Sequence, residues 1–365
     1  MRKLKLRLSG RARHNDAGNN CPPLVGRNRA QAINIPSVLH FNQVCVNRMK
    51  AMIRLLAACA TLWLPAAAMA EAPSNPCDQG TVRAIPARAS TAPDGSAFAR
   101  RVEGLSEKDR EDAIETELMA GNMPPFLRRL LPVNLPTLLA DGRSVQMTIC
   151  VLPDYLAIGS DPDFLLVPMR LATALKVAGR YGFTLPTARM VDAIYEQAVA
   201  HLAPQPLPAG DQMRSTDYYL HHTQLVREQQ AELGVTPGML TAGDKKDIVI
   251  TNRLWSNLAR VAIYGWHRLD HKPIQPLSTV HGAHYADYSH GVRLISDIVY
   301  VDGQPESIFD ALANSQLARS LSGEGPIQRI TALLATLITP PLEATPQPGT
   351  ATVPAILSAA AMRAR

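Results

Sequence analysis

Apolar positions recur along this chain with two different periods, and the period changes near the middle. In the first half the spacing is helical. Ser106 stands before acids at Glu107, Asp109, Glu111 and Asp112, and Gly121 follows, which are the cap, first-turn charge and stop signals of one helix. Residues 170–181 form a second helix. Thr187 caps a third, with Met190, Val191, Ile194, Ala198 and Leu202 as its apolar stripe. A Pro-rich loop at 204–209 leads to a fourth over 217–233, with Tyr219, His222, Val226 and Leu233 on one stripe. Between these, residues 144–152 alternate as a strand, Pro153-Asp154 makes a turn and 155–158 form a short second strand.

The second half is more β-like. Residues 247–251 and 261–264 have the length of buried strands, and 292–301 read as a longer strand closed by Asp302-Gly303. A helix is expected over 305–320. Helices early and strands late predict an α+β fold, a helix-rich N-terminal half packed on a mostly antiparallel sheet from the C-terminal half. One domain over 99–325 is expected. A Pro-, Ala- and Ser-rich arm at 71–98 precedes it, and a disordered tail at 340–365 follows.

The first 70 residues carry a different message. Met49-Lys50-Ala51-Met52-Ile53-Arg54 is a basic start, residues 55–65 are apolar, and Ala68-Met69-Ala70 is a small-residue cleavage box, the parts of a secretory signal too short to span a bilayer. Residues 49–70 are therefore expected to be a signal peptide, with residues 1–48 an upstream extension of the reading frame and translation starting at Met49 or Met52. A periplasmic or secreted protein is expected, with no transmembrane segment in the mature chain.

That reading reverses the apparent charge. The chain has 37 Lys and Arg against 31 Asp and Glu; residues 1–70 hold 11 of the basic residues and one acid, leaving 26 against 30. No basic footprint for nucleic acid remains. Of five cysteines, Cys77 and Cys150 stay in the mature part, and an even pair in an exported protein reads as one disulfide, with a buried and a reactive thiol as the alternative.

Candidate chemistry concentrates at 281–294. His281, His284, Tyr285, Asp287, Tyr288, Ser289, His290 and Arg293 fall within fourteen positions, with Trp266 and His267 upstream. If strands 261–264 and 292–301 are neighbours, His267 and His290 meet near one sheet edge. Three readings stay open. In the first, His281 or His290 is a general base held by Asp287, with Ser289 or a water as nucleophile. The second is a metal site from His267, His281, His284 and Asp287 or His290, which would hold zinc, although the spacing matches no zinc motif. In the third the polar loop is wired to itself and to backbone, Arg293 pairing Asp287 or Asp297. Trp266, His284, Tyr285 and Tyr288 would line a groove for a sugar or peptide.

The fragments His281-Gly282 and Ser289-His290-Gly291-Val292-Arg293 resemble the signature of the L,D-transpeptidases, envelope enzymes with an HG followed by S-H-G-C-[IV]-R. The resemblance implies that His281 and His290 assist a nucleophile and that Arg293 helps form the site. The family's nucleophilic Cys is absent here and the motif is one position short, so transpeptidation does not carry over. Residues 156–169 and 263–293 also resemble runs in secreted bacterial proteins, which implies no activity.

Elsewhere, Asp161 and Asp163 read as a turn rather than a calcium loop, and Lys245-Lys246-Asp247 as a solvated strand edge. No cofactor fingerprint is present. Two function classes remain: an envelope hydrolase or transferase acting on a glycan or peptide through His267, His281, Asp287, Ser289, His290 and Arg293, or a non-catalytic binding or structural protein of the cell envelope.

Overall fold

Alternation decides the first sheet. Residues Leu131–Leu138 (β1) bury Val133, Leu135 and Thr137 and turn the residues between them to solvent. They pair in antiparallel register with Ser144–Val151 (β2), Leu131 opposite Val151 and Leu138 opposite Ser144. Pro132 and Pro136 hide this strand from a sequence reading, because proline cannot donate to a ladder. β1 sits at the sheet edge, where that loss is tolerated.

The computed structural model describes residues 75–78 and 85–339. The segments read as upstream extension (1–48), signal peptide (49–70) and tail (340–365) lie outside the described residues, as does part of the arm. After α1 (Gly95–Val102) and α2 (Glu107–Met119) come β1 and β2, then β3 (Ala157–Gly159), β4 (Phe164–Leu166), α3 (Leu171–Arg180), β5 (Phe183–Thr184), α4 (Ala188–Gln197) and β6 (Ala200–His201). Next are α5 (Thr216–Glu232), β7 (Thr241–Ala242), β8 (Lys246–Ile248), β9 (Ile263–His267), β10 (Pro273–Ser278), β11 (His290–Gly291), β12 (Ile295–Val301) and β13 (Gln304–Ser307). Three helices close the described part: α6 (Ile308–Ala313), α7 (Ala318–Leu321) and α8 (Ile330–Ile338). None of the described helices is long and apolar enough to cross a membrane.

The fold is α+β. The finer expectation fails, because the principal sheet is not built from the C-terminal half alone. Its order is β1-β2-β12-β13 with β5 also on β12, so β2 from the first half lies beside β12 from the second. Both are largely buried, which is why they take the centre. A second sheet runs β10-β9-β8-β11, antiparallel except for β8 with β11. The expected strand 292–301 is divided between the two sheets. His290-Gly291 ends the second, Ile295–Val301 belongs to the first, and residues 292–294 cross between them, their carbonyls taking Leu156 N and Leu152 N. Strands β9 and β12 are therefore not neighbours.

Caps fall where the side chains require them. Ser106 accepts from Asp109 N, Thr187 from Met190 N and Ser215 from Tyr218 N. Gly121 follows the first of these helices at φ 76°, the left-handed C′ position. Helix α1 begins inside the segment read as an arm, burying Phe98, Ala99 and Val102. Leu233 departs from its expected stripe and is exposed, because α5 ends just before it. The region 305–320 holds a strand and two short helices rather than one helix; Asp302 and Gly303, both at positive φ, turn β12 back on itself as β13.

Cys77 and Cys150, 73 positions apart in sequence, form a disulfide that ties the short helix Pro76–Asp78 to β2. Closing a loop of that size removes entropy from the unfolded chain worth about 4 kcal/mol. Replacing both cysteines by alanine should lower the urea-unfolding free energy by roughly that amount; an unchanged midpoint would show that the arm adds nothing to stability.

Candidate functional site

Backbone hydrogen bonds hold the loop 281–290 in place. Val261 N donates to His281 O, Ala283 N to Ala259 O, Tyr285 N to Gly282 O, and Lys246 N to Ser289 O at the start of the β8–β11 pairing. These bonds bring part of the predicted set together. The His281 ring stacks on Tyr285, centroids 4.3 Å apart, and His290 lies 5.9 Å from His281 and 5.7 Å from Tyr285. Beneath them is Asp287. Its Oδ2 accepts the Tyr285 hydroxyl at 2.8 Å, and its Oδ1 accepts both Ser289 N at 2.8 Å and Ser289 Oγ at 2.5 Å. Burial pushes this carboxyl up, but His290, the Ser289 bonds and Lys246 outweigh it and hold Asp287 at about 2.

This differs from the expected base-and-orienter pair. Asp287 bonds neither imidazole; it fixes Tyr285, whose ring supports His281. Ser289 is fully buried with its hydroxyl spent on Asp287, so it is not placed as a nucleophile. His290 is also fully buried, and neither ring nitrogen has a partner. Burial draws its imidazole down to about 4, against a smaller upward pull from Asp287. His281, half-buried, is lowered by burial and by Lys246 and Arg260, with Asp287 opposing. Both rings are thus neutral near pH 7.

The other predicted residues disperse. His267 lies in the same sheet as His290 but on β9, with β8 between them. Its Nε2 meets Asp192 Oδ1 at 3.1 Å, an oxygen shared with the Tyr264 hydroxyl, and its ring stacks on Tyr195 at 4.5 Å. His201 stacks on Tyr195 at 4.3 Å. His284 is exposed and offers only its carbonyl, to Arg170. Tyr288 is buried rather than groove-lining: its hydroxyl takes Leu207 N, and its carbonyl takes the Lys245 ammonium at 2.6 Å. Trp266 is nearly buried under Lys246, whose Nζ stands 4.8 Å from the ring centre, and its Nε1 is unpartnered. The proposed zinc set therefore does not assemble. Among the described residues, no group of three or more His, Cys, Asp or Glu is placed to hold a metal ion.

Arg293 does not pair Asp287 or Asp297 through its guanidinium bonds. It is buried at the crossover between the sheets, donating to Leu152 O at 2.8 Å and Thr241 O at 2.7 Å, with Cζ 4.3 Å from the Tyr155 ring centre. Burial works against its charge, but Tyr155, Asp247, Asp154 and Asp244 more than offset this and raise it. Gly291 permits the arrangement: a Cβ there would meet Tyr155 Cδ1 at 2.5 Å and Lys245 Cβ at 2.7 Å.

Sequence reasoning missed the residues under this loop. Lys245 and Asp247, read as a solvated edge, are buried, as is Asp244, which has no partner for either carboxylate oxygen. Burial and Asp154 raise Asp244 to about 7, and burial raises Asp247 to about 6 although Arg293 and the Tyr155 hydroxyl at 2.9 Å favour its charge. Burial lowers Lys245 to about 8, and its Nζ bonds His222 Nδ1 at 3.0 Å. His222 itself is a fully buried histidine, as its helical stripe predicts. The missed signal is the lack of any turn residue between these charges and the apolar run Ile248-Val249-Ile250.

No family model, curated protein or solved structure matches this chain.

The buried neutral His290 makes stability depend on pH. Its folded value lies below the ordinary one, so its contribution is present above about pH 6.5 and is lost as pH falls toward about 4. Between those limits the wild type should lose of order 3 kcal/mol more unfolding free energy than His290→Leu. Urea unfolding of both proteins near pH 7 and near pH 4 checks this, and equal pH slopes would contradict it.

Proposed function

We propose that the loop 281–290 is the acid–base centre of an exported hydrolase or transferase acting on a glycan or peptide of the cell envelope. One observation carries the reading: His281, Tyr285, Asp287 and His290 are gathered in one contact cluster, and His290 is kept fully buried with both nitrogens unpaired. A loop serving stability alone would pair or replace such a ring, because each unmet buried polar group costs about 1–3 kcal/mol.

In this reading His281 is the general base. It is half-exposed and neutral, so it can take a proton from a water or a substrate hydroxyl. Tyr285, pinned by the permanently charged Asp287, keeps the imidazole face fixed, and the Lys246 ammonium supplies positive charge near the developing oxyanion. Ser289 and Arg293 hold the frame rather than react.

A second reading is a non-catalytic envelope protein. It is favoured by the burial of Asp287, Ser289 and His290, which leaves only the His281–Tyr285 face for contact.

Incubating the protein with insoluble peptidoglycan and measuring released soluble fragments separates the two. The catalytic reading expects release that falls about 100-fold or more in His281→Ala, with little change in the unfolding midpoint because that ring is half-exposed. No release by the wild type, or equal release by the variant, would contradict it.

A further inference from the structure

A cavity of about 150 Å³ opens between α5, the β3–β4 hairpin and the loop 235–239, on residues to which the acid–base reading assigns no role. Its lining is polarised from base to mouth. Toward the base is Asp154, 3 % exposed, with Oδ1 taking Tyr155 N at 2.7 Å and Oδ2 taking the Gln230 amide at 2.9 Å. Each oxygen keeps a further lone pair for a ligand. Burial raises the Asp154 carboxyl, with the Arg293 charge, the Tyr155 and Gln230 bonds and Thr241 opposing. Thr241, 1 % exposed, lines the cavity beside it with a hydroxyl that meets no partner in hydrogen-bond geometry. An unmet buried hydroxyl at a cavity wall is a place for a donor or acceptor from outside.

The walls are aromatic. Phe126 and Phe164 meet edge to face at 5.5 Å, and Asp161 accepts Phe126 N. At the exposed rim is Arg227, its Cζ 5.2 Å from the Phe164 ring centre, with one N–H on the Pro162 carbonyl and the others left to water or a ligand.

We propose that this cavity is a binding site for a small free α-amino acid, taken with its ammonium group inward on Asp154 and Thr241 and its carboxylate outward on Arg227. The acceptor oxygens of Asp154 at the base and the Arg227 guanidinium at the rim suit a zwitterion with its ammonium group inward, while Asp161 on the wall is held by Phe126 N. Aromatic rings at the wall suit an ammonium ion beside them, and a planar guanidinium suits a carboxylate. The volume is well below the 300–1,000 Å³ of typical ligand pockets, which excludes a sugar ring or a longer peptide. Its residues are separate from those of the acid–base loop, so binding here and turnover there are measured separately.

Isothermal titration calorimetry of the purified chain with glycine, L-alanine and D-alanine tests it, with ethylamine and propionate as half-ligands and alanyl-alanine as the peptide control. The expected result is one-to-one binding of at least one amino acid. Each half-ligand and the dipeptide should bind about tenfold or more weakly, and Arg227→Gln should weaken the amino acid by roughly 10- to 100-fold, the loss of a charged hydrogen bond. Arg227 is exposed, so this variant should keep its fold, which circular dichroism verifies. Absence of binding by all three amino acids up to about 10 mM would overturn the proposal. So would an Arg227→Gln protein that binds as the wild type does, or ethylamine or the dipeptide binding as tightly as the amino acid.

Discussion

Arg293 holds a guanidinium in the buried interior, and a charge in that position must find its partners inside the protein. It meets them where the two sheets exchange the chain. Two carbonyls from different segments, Leu152 and Thr241, take its N–H groups, Tyr155 covers its face, and Asp154, Asp244 and Asp247 supply the negative field. The acids need the guanidinium in return, since Asp244 and Asp247 are already pushed toward protonation by burial. This mutual dependence fixes the ends of β2, β7, β8 and β11 relative to one another.

Both candidate sites hang from that layer. On one side, β8 and β11 carry Lys246 and His290 to paired positions, and the loop before β11 brings His281 and Tyr285 over Asp287. On the other, Asp154, one residue before Tyr155, forms the base of the small cavity. The absence of a side chain at Gly291 lets Tyr155 and Lys245 close under the loop. A frame this constrained suits the proposed role of the half-exposed His281, because the groups that set its environment are held in place.

Much of the fold was legible locally. Ser106, Thr187 and Gly121 mark helix ends through bonds that involve only near neighbours, and Asp302-Gly303 marks a turn for the same reason. The cysteine pair and the chemically rich loop could also be read directly. What escaped depends on partners distant in sequence. β1 carries two prolines that only an edge position excuses. The run 292–301 has the pattern of one strand, yet Arg293 must sit between sheets to reach Leu152 and Thr241. Asp244, Lys245 and Asp247 look solvated until the counter-charges on other segments are known. His267 and His290 fall on strands separated by β8, a fact of strand order that no spacing reveals.

The central claim is that the Arg293 charge makes this buried acidic layer tolerable. Equilibrium urea unfolding of Arg293→Met near neutral pH tests it most directly, since methionine keeps much of the volume and removes the charge. Removing one partner from a buried charge cluster should cost about 3–5 kcal/mol. A variant that unfolds at the same urea concentration as the wild type, or a higher one, would contradict the account.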